Sequence, residues 1–236
     1  MKLVIFDVDG TLIFSEKRDS LAFAATYEKI YRRPFPTIDW HAYPHVTDTT
    51  IFDSVIRRHF GRPSNEPEIA RFQEHYGALL QANRQVAPHA YQEVPGARRA
   101  IAALEQDDRY LVGVATGGWK RSAEIKLQHV GIAINHRLFS GADGKLEREH
   151  IVEEVVACAE ELNGGSFSKT IYIGDAIWDV RTTRNLQLDF IGVRRMGDFS
   201  LLQKEGARHL IRDYLDYEGF LQLLEEAVPP GVGSGV

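Results

Sequence analysis

The chain has 236 residues, of which 44% are hydrophobic and 26% charged, and its formal net charge is −5. This length suffices for one large domain or for one core with an inserted module. The acidic balance and the scattered arginine pairs argue against a nucleic-acid-binding protein, and no apolar stretch is long enough to span a membrane. The single cysteine, Cys158, excludes an internal disulfide, so a cytoplasmic location is expected.

The first predicted element is a buried strand, because Leu3 to Phe6 is a short run of branched and aromatic side chains. The amino terminus runs directly into this core strand, so we expect that the first residues are not a signal peptide. The strand ends on two carboxylates, Asp7 and Asp9, and Gly10 supplies a turn. Two acids at the end of a buried strand are costly unless a positive charge compensates them. A hard cation such as Mg²⁺ would do so and would hold a phosphate nearby, whereas a surface turn containing aspartate is the alternative.

Residues 16–90 are predicted to form an inserted helical module. Apolar and aromatic side chains recur there at helical spacing in three segments, and we find no convincing strand between residues 15 and 108. Thr47 and Asp48 stand at the start of the second helical segment. They are candidate substrate contacts, although a helix-capping role explains either residue equally well.

After residue 96 predicted strands alternate with helices, which indicates a doubly wound parallel α/β sheet. The predicted strands cover residues 110–115, 137–139, 169–173 and 189–193, and shorter elements follow around 209–211 and 214–227. The expected α/β core therefore comprises residues 1–15 and 91–228, with an inserted α-helical cap domain and a disordered tail over 229–236.

Three predicted strands end on polar residues, which are Asp7 with Asp9, Thr116, and Asp175. Because the carboxyl ends of parallel strands lie at one edge of a sheet, these residues should meet there. Asp179 follows Asp175 by one helical turn and can face the same way. A metal site is favoured over simple helix capping by Asp175, and an oxygen-rich site of this kind suits Mg²⁺.

Such a site permits phosphoryl transfer. One carboxylate can attack phosphorus and form an aspartyl-phosphate, while Asp9 protonates the leaving oxygen and then deprotonates water. Thr116 and the amides of Gly117 and Gly118 offer a phosphate cradle at a helix start. The candidates for a neutralising cation are Lys145 and Arg148, one of which we expect to be an ordinary surface charge.

The sequence resembles the haloacid-dehalogenase superfamily of phosphotransferases. Asp7-Val8-Asp9-Gly10-Thr11 is similar to the first motif of that family, Thr116 to the second, Lys145 or Arg148 to the third, and Gly174-Asp175-x-x-x-Asp179 to the fourth. The motifs occur in the family's order, and the helical insert resembles the cap of the phosphoglycolate phosphatase and β-phosphoglucomutase branch.

The resemblance implies a Rossmann-like core and a role for each matching residue. Asp7 would be the nucleophile and a Mg²⁺ ligand, and Asp9 the general acid and base, ligating Mg²⁺ through its main-chain carbonyl. Thr116 would bind the phosphoryl group, and Asp175 and Asp179 would complete the metal site. Arg148 is preferred over Lys145 because Arg148-Glu-His-Ile151 matches the spacing onto the helix.

These observations predict a Mg²⁺-dependent phosphatase that acts on a small phosphorylated metabolite. A mutase or other phosphotransferase using the same intermediate is the close alternative, and a non-catalytic binding module is a third. Thr116 is followed by Gly-Gly where phosphoglycolate-type members commonly have Asn, so the substrate stays open.

Overall fold

The computed structural model describes residues 1–15 and 17–233. This part of the chain contains eight strands: β1 (Lys2–Phe6), β2 (Ile13–Phe14), β3 (Gln92–Glu93), β4 (Tyr110–Ala115), β5 (Phe139–Ser140), β6 (Thr170–Gly174), β7 (Asp189–Val193) and β8 (His209–Ile211). Six of them form one parallel sheet in the order β5-β4-β1-β6-β7-β8, and β2 pairs with β3 in a separate antiparallel sheet.

The α-helices of the described residues are α1 (Arg18–Tyr31), α2 (Asp48–Phe60), α3 (Glu66–Val86), α4 (Ala97–Glu105), α5 (Lys120–His129), α6 (Arg148–Asn163), α7 (Ile177–Leu186), α8 (Ser200–Lys204) and α9 (Tyr217–Glu226). Helices that follow residue 96 cover both faces of the six-stranded sheet. The side chains of β1 alternate between two buried apolar clusters, with Leu3 and Ile5 in one and Val4 and Phe6 in the other. Burial of a strand on both faces is typical of a doubly wound sheet, so the predicted α/β class is confirmed.

The register of the sheet brings three strand ends to the same level. Phe6 is paired with Val114 of β4 on one side and with Ile173 of β6 on the other. The residues that follow these positions therefore leave the sheet at one edge, where ligands bind in open α/β sheets.

The three helices α1–α3 and the loops that join them form the cap, which lies between β2 and β3 in the chain. Its interior is aromatic, with the Phe72 ring centroid 4.7 Å from that of Phe23 and 4.8 Å from that of Phe52. Trp119, which precedes α5, stacks on Phe23 at 5.8 Å and joins this cluster to the core. The helices fall inside the predicted module of residues 16–90, and its division from the core as a domain stays a prediction.

The pairing of β2 with β3 differs from the prediction that no strand occurs between residues 15 and 108. Ile13 pairs with Glu93 and Phe14 with Gln92, so a short antiparallel ribbon joins the cap to the core. A two-residue strand is too short to show an alternating pattern, and its pairing depends on a partner far away in sequence.

Two further segments also differ from expectation. The predicted strand at 137–139 is a 3₁₀ turn (His136–Leu138) followed by the two-residue strand β5. In the tail, the Gly231 amide donates to the Gly206 carbonyl at 3.0 Å and the Gly231 carbonyl accepts from Arg184, so residues 229–233 contact the core. Residues 234–236 of the expected disordered tail lie outside the described residues.

Within residues 1–15 and 17–233, no helix has the length and apolar character that crossing a bilayer requires.

Candidate active site

Carboxylates from two distant segments meet at the sheet edge. Asp7 follows β1, whereas Asp175 and Asp179 follow β6, and each of the three offers an oxygen atom within 4.8 Å of the others. Asp7 is 3% exposed and Asp179 is fully buried. The structure thus brings together three of the residues that the sequence predicted to hold a metal.

A glycine permits this close approach. Gly10 has a φ of +81°, and a Cβ atom at this position would lie 2.0 Å from a carboxylate oxygen of Asp175. A side chain here would therefore be strained in the backbone and would displace Asp175 from the cluster.

Asp179 fixes the turn that presents Asp175. Its Oδ2 accepts hydrogen bonds from the amides of Asp175 at 3.1 Å and Ala176 at 3.0 Å. Its Oδ1 accepts from Nη2 of Arg148 at 2.6 Å. Because protein groups use most of its acceptor capacity, Asp179 mainly holds Arg148 and the turn of Asp175 in position.

Arg148, rather than Lys145, is the cation of this cluster. Besides Asp179, its Nη2 lies 3.4 Å from Oδ1 of Asp7, and the side chain is 7% exposed. Lys145 pairs with Glu154 at 2.7 Å. Of the two candidate cations the structure thus brings Arg148 to the carboxylates, and its role toward phosphate stays a prediction.

Asp9 lies outside the three-carboxylate cluster. Its Oδ2 accepts from Nζ of Lys126 at 2.5 Å, and its side chain is 45% exposed. The side chain therefore faces the cavity next to the cluster, which suits an acid and base better than a buried ligand. The resemblance implies that Asp9 ligates the metal through its main-chain carbonyl. The position of the side chain is compatible with that contact.

The segment Thr116–Gly118 follows β4 and borders the same cavity. The Gly118 amide donates to the Thr116 hydroxyl at 3.2 Å, so the hydroxyl and the turn hold each other in place. At Gly117 a Cβ atom would lie 2.0 Å from Nη1 of Arg148, so glycine is what lets the guanidinium pass.

The two predicted cap contacts behave differently. Thr47 is fully buried, its hydroxyl accepts from the Thr50 amide as the N-cap of α2, and it does not border the cavity. Its substrate-binding prediction therefore has no support, and the capping alternative describes its contacts. Asp48 does border the cavity, but its Oδ2 accepts from the Trp119 amide at 2.9 Å and its own amide donates to the Gly117 carbonyl at 2.7 Å.

The cavity has a volume of about 320 Å³ and lies between the sheet edge and the cap. The sheet edge contributes the predicted site residues Asp7, Asp9, Thr116, Gly117, Gly118, Arg148 and Asp175. The cap and its connections contribute Ser15, Lys17, Asp19, Phe23, Trp40, Asp48 and Tyr76, among others.

The buried acids repel one another. Burial, with the Asp179 charge added to it, raises the pKa of Asp7 from 3.8 to about 8, although Arg148 opposes the shift. Burial followed by Asp179 and Asp7 also raises the pKa of Asp175 well above its usual range. A divalent cation would relieve this repulsion, and hard carboxylate oxygens are the ligands such ions prefer. The donor set thus fits a metal ion.

Sequence reasoning missed Lys126. It lies on the buried face of α5 with its side chain 4% exposed, and it pairs with Asp9 and, at 3.8 Å, with Asp19. Burial opposes its charge, but Asp9, Asp19 and Asp48 together raise the pKa of Lys126, so it is an ammonium ion. The available signal was a lysine between Ala123 and Leu127 on the apolar face of a helix that begins at the sheet edge.

Fold and site together define a protein with a parallel α/β core, a carboxylate cluster at the sheet edge and helices that cover it. The sequence model of the haloacid dehalogenase-like hydrolase family matches residues 1–186. The chain belongs to this family, which confirms the resemblance seen in the sequence.

Individual relatives agree with this assignment. Validoxylamine A 7'-phosphate phosphatase of Streptomyces hygroscopicus subsp. limoneus is 33% identical over 139 residues, which are 55% of this chain and 56% of that protein. The match thus spans little more than half the length of that relative.

Solved structures share the fold. A hydrolase from Pseudomonas syringae superposes with a TM-score of 0.69 and 21% identity, covering 94% of this chain and 98% of its own. A predicted phosphoglycolate phosphatase from Haemophilus somnus 129PT superposes with a TM-score of 0.61 and 17% identity, covering 94% and 98%.

Proposed function

We propose that the protein is a Mg²⁺-dependent phosphatase that hydrolyses a small phosphorylated metabolite through an aspartyl-phosphate intermediate. The observation that carries the proposal is the meeting of Asp7, Asp175, Asp179 and Arg148 at the sheet edge, beside a cavity. Membership in a hydrolase family and the phosphatase relative support the reaction class.

Asp7 and Asp175 are the residues that would hold Mg²⁺, in a turn that Asp179 fixes. When bound, the ion supplies positive charge beside the transferring phosphoryl group. Arg148 is oriented by Asp179 and lies next to Asp7, so it provides a second, permanent positive charge at the same place.

In the first half-reaction a carboxylate oxygen of Asp7 attacks phosphorus. An oxygen–phosphorus bond forms to Asp7 and the ester bond to the leaving alcohol breaks, while Asp9 donates its proton to the leaving oxygen. Thr116 and the backbone of Gly117 bind the phosphoryl oxygens at the cavity wall.

In the second half-reaction a water molecule attacks the aspartyl-phosphate. Asp9, now a carboxylate, takes a proton from that water, and the bond between phosphorus and Asp7 breaks. Inorganic phosphate leaves, and both aspartates return to their starting states.

The cavity lining favours hydrolysis of monophosphates over the mutase alternative. Mutase chemistry on a bisphosphate requires a second anion site at the far end of the cavity. The cap contributes the acids Asp19 and Asp48 to the cavity lining, and Lys17 is its one basic side chain among the described lining residues. Lys126 and Arg148 are already paired with carboxylates.

The test is phosphate release from a panel of small phosphate esters, with p-nitrophenyl phosphate as the general probe and with sugar bisphosphates included. We expect release in Mg²⁺, loss of release in EDTA, and lower kcat/KM for bisphosphates than for the matching monophosphates. Equal rates in EDTA and Mg²⁺ would remove the metal from the proposal. Conversion of a sugar monophosphate to its isomer without net phosphate release would establish the mutase instead.

A further inference from the structure

Lys126 lies beside the proposed acid, Asp9, and both residues line the cavity. Its side chain projects from α5 and is 4% exposed, whereas the Asp9 side chain that it contacts is 45% exposed. One carboxylate oxygen of Asp9, Oδ2, accepts the ammonium proton at 2.5 Å. Oδ1 accepts no hydrogen bond from the part of the chain that the structure describes, and Asp9 borders the cavity.

A second acid stands behind the lysine. Asp19, at the start of α1 in the cap, has a side chain that is 9% exposed and lies 3.8 Å from Nζ of Lys126. Both of its carboxylate oxygens are buried without a hydrogen-bond partner among the described residues. The lysine therefore bridges a cap acid and the core acid.

The distances decide which acid the lysine serves. Burying an ammonium ion and a carboxylate costs free energy unless the two groups are paired in good geometry. Nζ of Lys126 contacts Asp9 at 2.5 Å, whereas it lies 3.8 Å from Asp19. The shortest ionic contact of this buried lysine is thus made to Asp9, the proposed acid and base.

We propose that Lys126 is a positioning residue that holds Asp9 with its free oxygen toward the leaving group, and that Asp19 keeps Lys126 in place. This inference rests on the proposed function, in which Asp9 donates a proton to the leaving oxygen. The lysine transfers no proton itself, since its contact is to Oδ2 and the exchange occurs at Oδ1.

The test compares two substrates that differ in their need for an acid. An alkyl ester such as β-glycerol phosphate needs its leaving oxygen protonated, whereas p-nitrophenolate leaves without a proton. We compare kcat/KM, which reports the steps up to release of the alcohol. For K126M we expect a loss of about 100-fold or more with β-glycerol phosphate and less than about 10-fold with p-nitrophenyl phosphate. K126R should recover part of the loss with β-glycerol phosphate.

Two further variants keep the test decisive. R121M removes a cation from the exposed side of the same helix and should leave both substrates within about twofold of the parent, as surface charges contribute little. If K126M fails to fold because Asp19 is left unpaired, the double variant K126M/D19N removes both buried charges and should show the same substrate-dependent loss.

The outcomes separate the two proposals. Equal losses with both substrates, or no loss, in a folded Lys126 variant would overturn the positioning role while leaving the phosphatase proposal intact. Parent protein that hydrolyses neither substrate in Mg²⁺ would overturn the proposed function itself.

Discussion

The sheet edge and the interior of the cap are buried to a similar degree, but the edge buries charged side chains and the cap buries aromatic ones. At the edge, Asp7 and Asp179 are buried together with Arg148. In the cap, Phe23 and Phe72 are buried among other rings. Buried charges of like sign cost folding free energy, whereas buried aromatic rings supply it. We infer that the cap and the helical layers stabilise the fold, and that the edge uses part of that stability to hold a reactive arrangement.

The largest effect on activity is expected from a substitution of Asp7 at the sheet edge. D7N removes the proposed nucleophile, so we expect kcat to fall by at least about 1,000-fold. The variant should unfold at the same temperature as the parent or higher, because one of several repelling carboxylates is gone. Phosphate release and thermal unfolding measure the two effects.

D108N, at an exposed aspartate, is the matched control for D7N and should change neither quantity. Substantial turnover by folded D7N would remove Asp7 from the nucleophile role.

The opposite pattern is expected in the cap. Phe72 is fully buried and its ring lies 4.8 Å from Phe52. F72A should therefore lower the free energy of unfolding by about 3–5 kcal/mol, measured by urea denaturation. The fraction that stays folded should keep most of its kcat, since Phe72 does not border the cavity.

F60A tests whether burial explains the loss in F72A, because Phe60 is 38% exposed on the same cap. Its destabilisation should be clearly smaller. Equal losses in the two variants would contradict the view that the ring cluster stabilises the cap.

Substitutions of Arg148 and Lys145 test which of the two cations acts at the sheet edge. R148M removes the charge beside Asp7, and we expect kcat to fall by about 100-fold. K145M removes only a partly exposed pair with Glu154 and should stay within about threefold of the parent, because such pairs contribute about 1 kcal/mol or less. Steady-state kinetics on purified, folded variants decides between them, and a larger loss in K145M would reverse our assignment.

The smallest predicted effect is a pH dependence of stability. In the folded protein burial raises the pKa of Asp7 from 3.8 to about 8 and that of Asp48 from 3.8 to about 7. Above about pH 4 the unfolded chain has released these protons while the native state keeps them. The native state then binds more protons, so the free energy of unfolding falls as the pH rises toward 8.

Thermal unfolding from pH 5 to pH 8 in EDTA should show this decline. Mg²⁺ should flatten it, because the ion stabilises the charged carboxylates, and D48N should remove part of it. A melting temperature in EDTA that rises across this range would contradict the pKa shifts of the two acids.

The sequence was most informative where the signal was local. Asp7 and Asp175 each follow an apolar strand, so the rule that parallel strands share a carboxyl edge was enough to predict that they meet. The choice of Arg148 over Lys145 also rested on local spacing, and the contacts in the structure agree with it.

Other features depend on partners that a linear pattern does not show. In the sequence, Lys126 is a charged residue on an otherwise apolar helix face. Only the fold shows that it pairs with Asp9. The β2–β3 ribbon is too short for periodicity to reveal. Thr47 and Asp48 are adjacent in the chain, and only the docking of the cap on the core shows that Asp48 borders the cavity and Thr47 does not.

The central claim is that Asp7 carries the phosphoryl group during turnover. The most direct measurement is rapid acid quenching of the enzyme with p-nitrophenyl phosphate and Mg²⁺, followed by hydroxylamine, which converts an acyl phosphate to a hydroxamate, and by mass spectrometry of the peptides. We predict a hydroxamate at Asp7 that appears only with substrate. A hydroxamate at another carboxylate, or none at Asp7 while the phosphoenzyme is shown to accumulate by its covalently bound phosphate, would contradict the account.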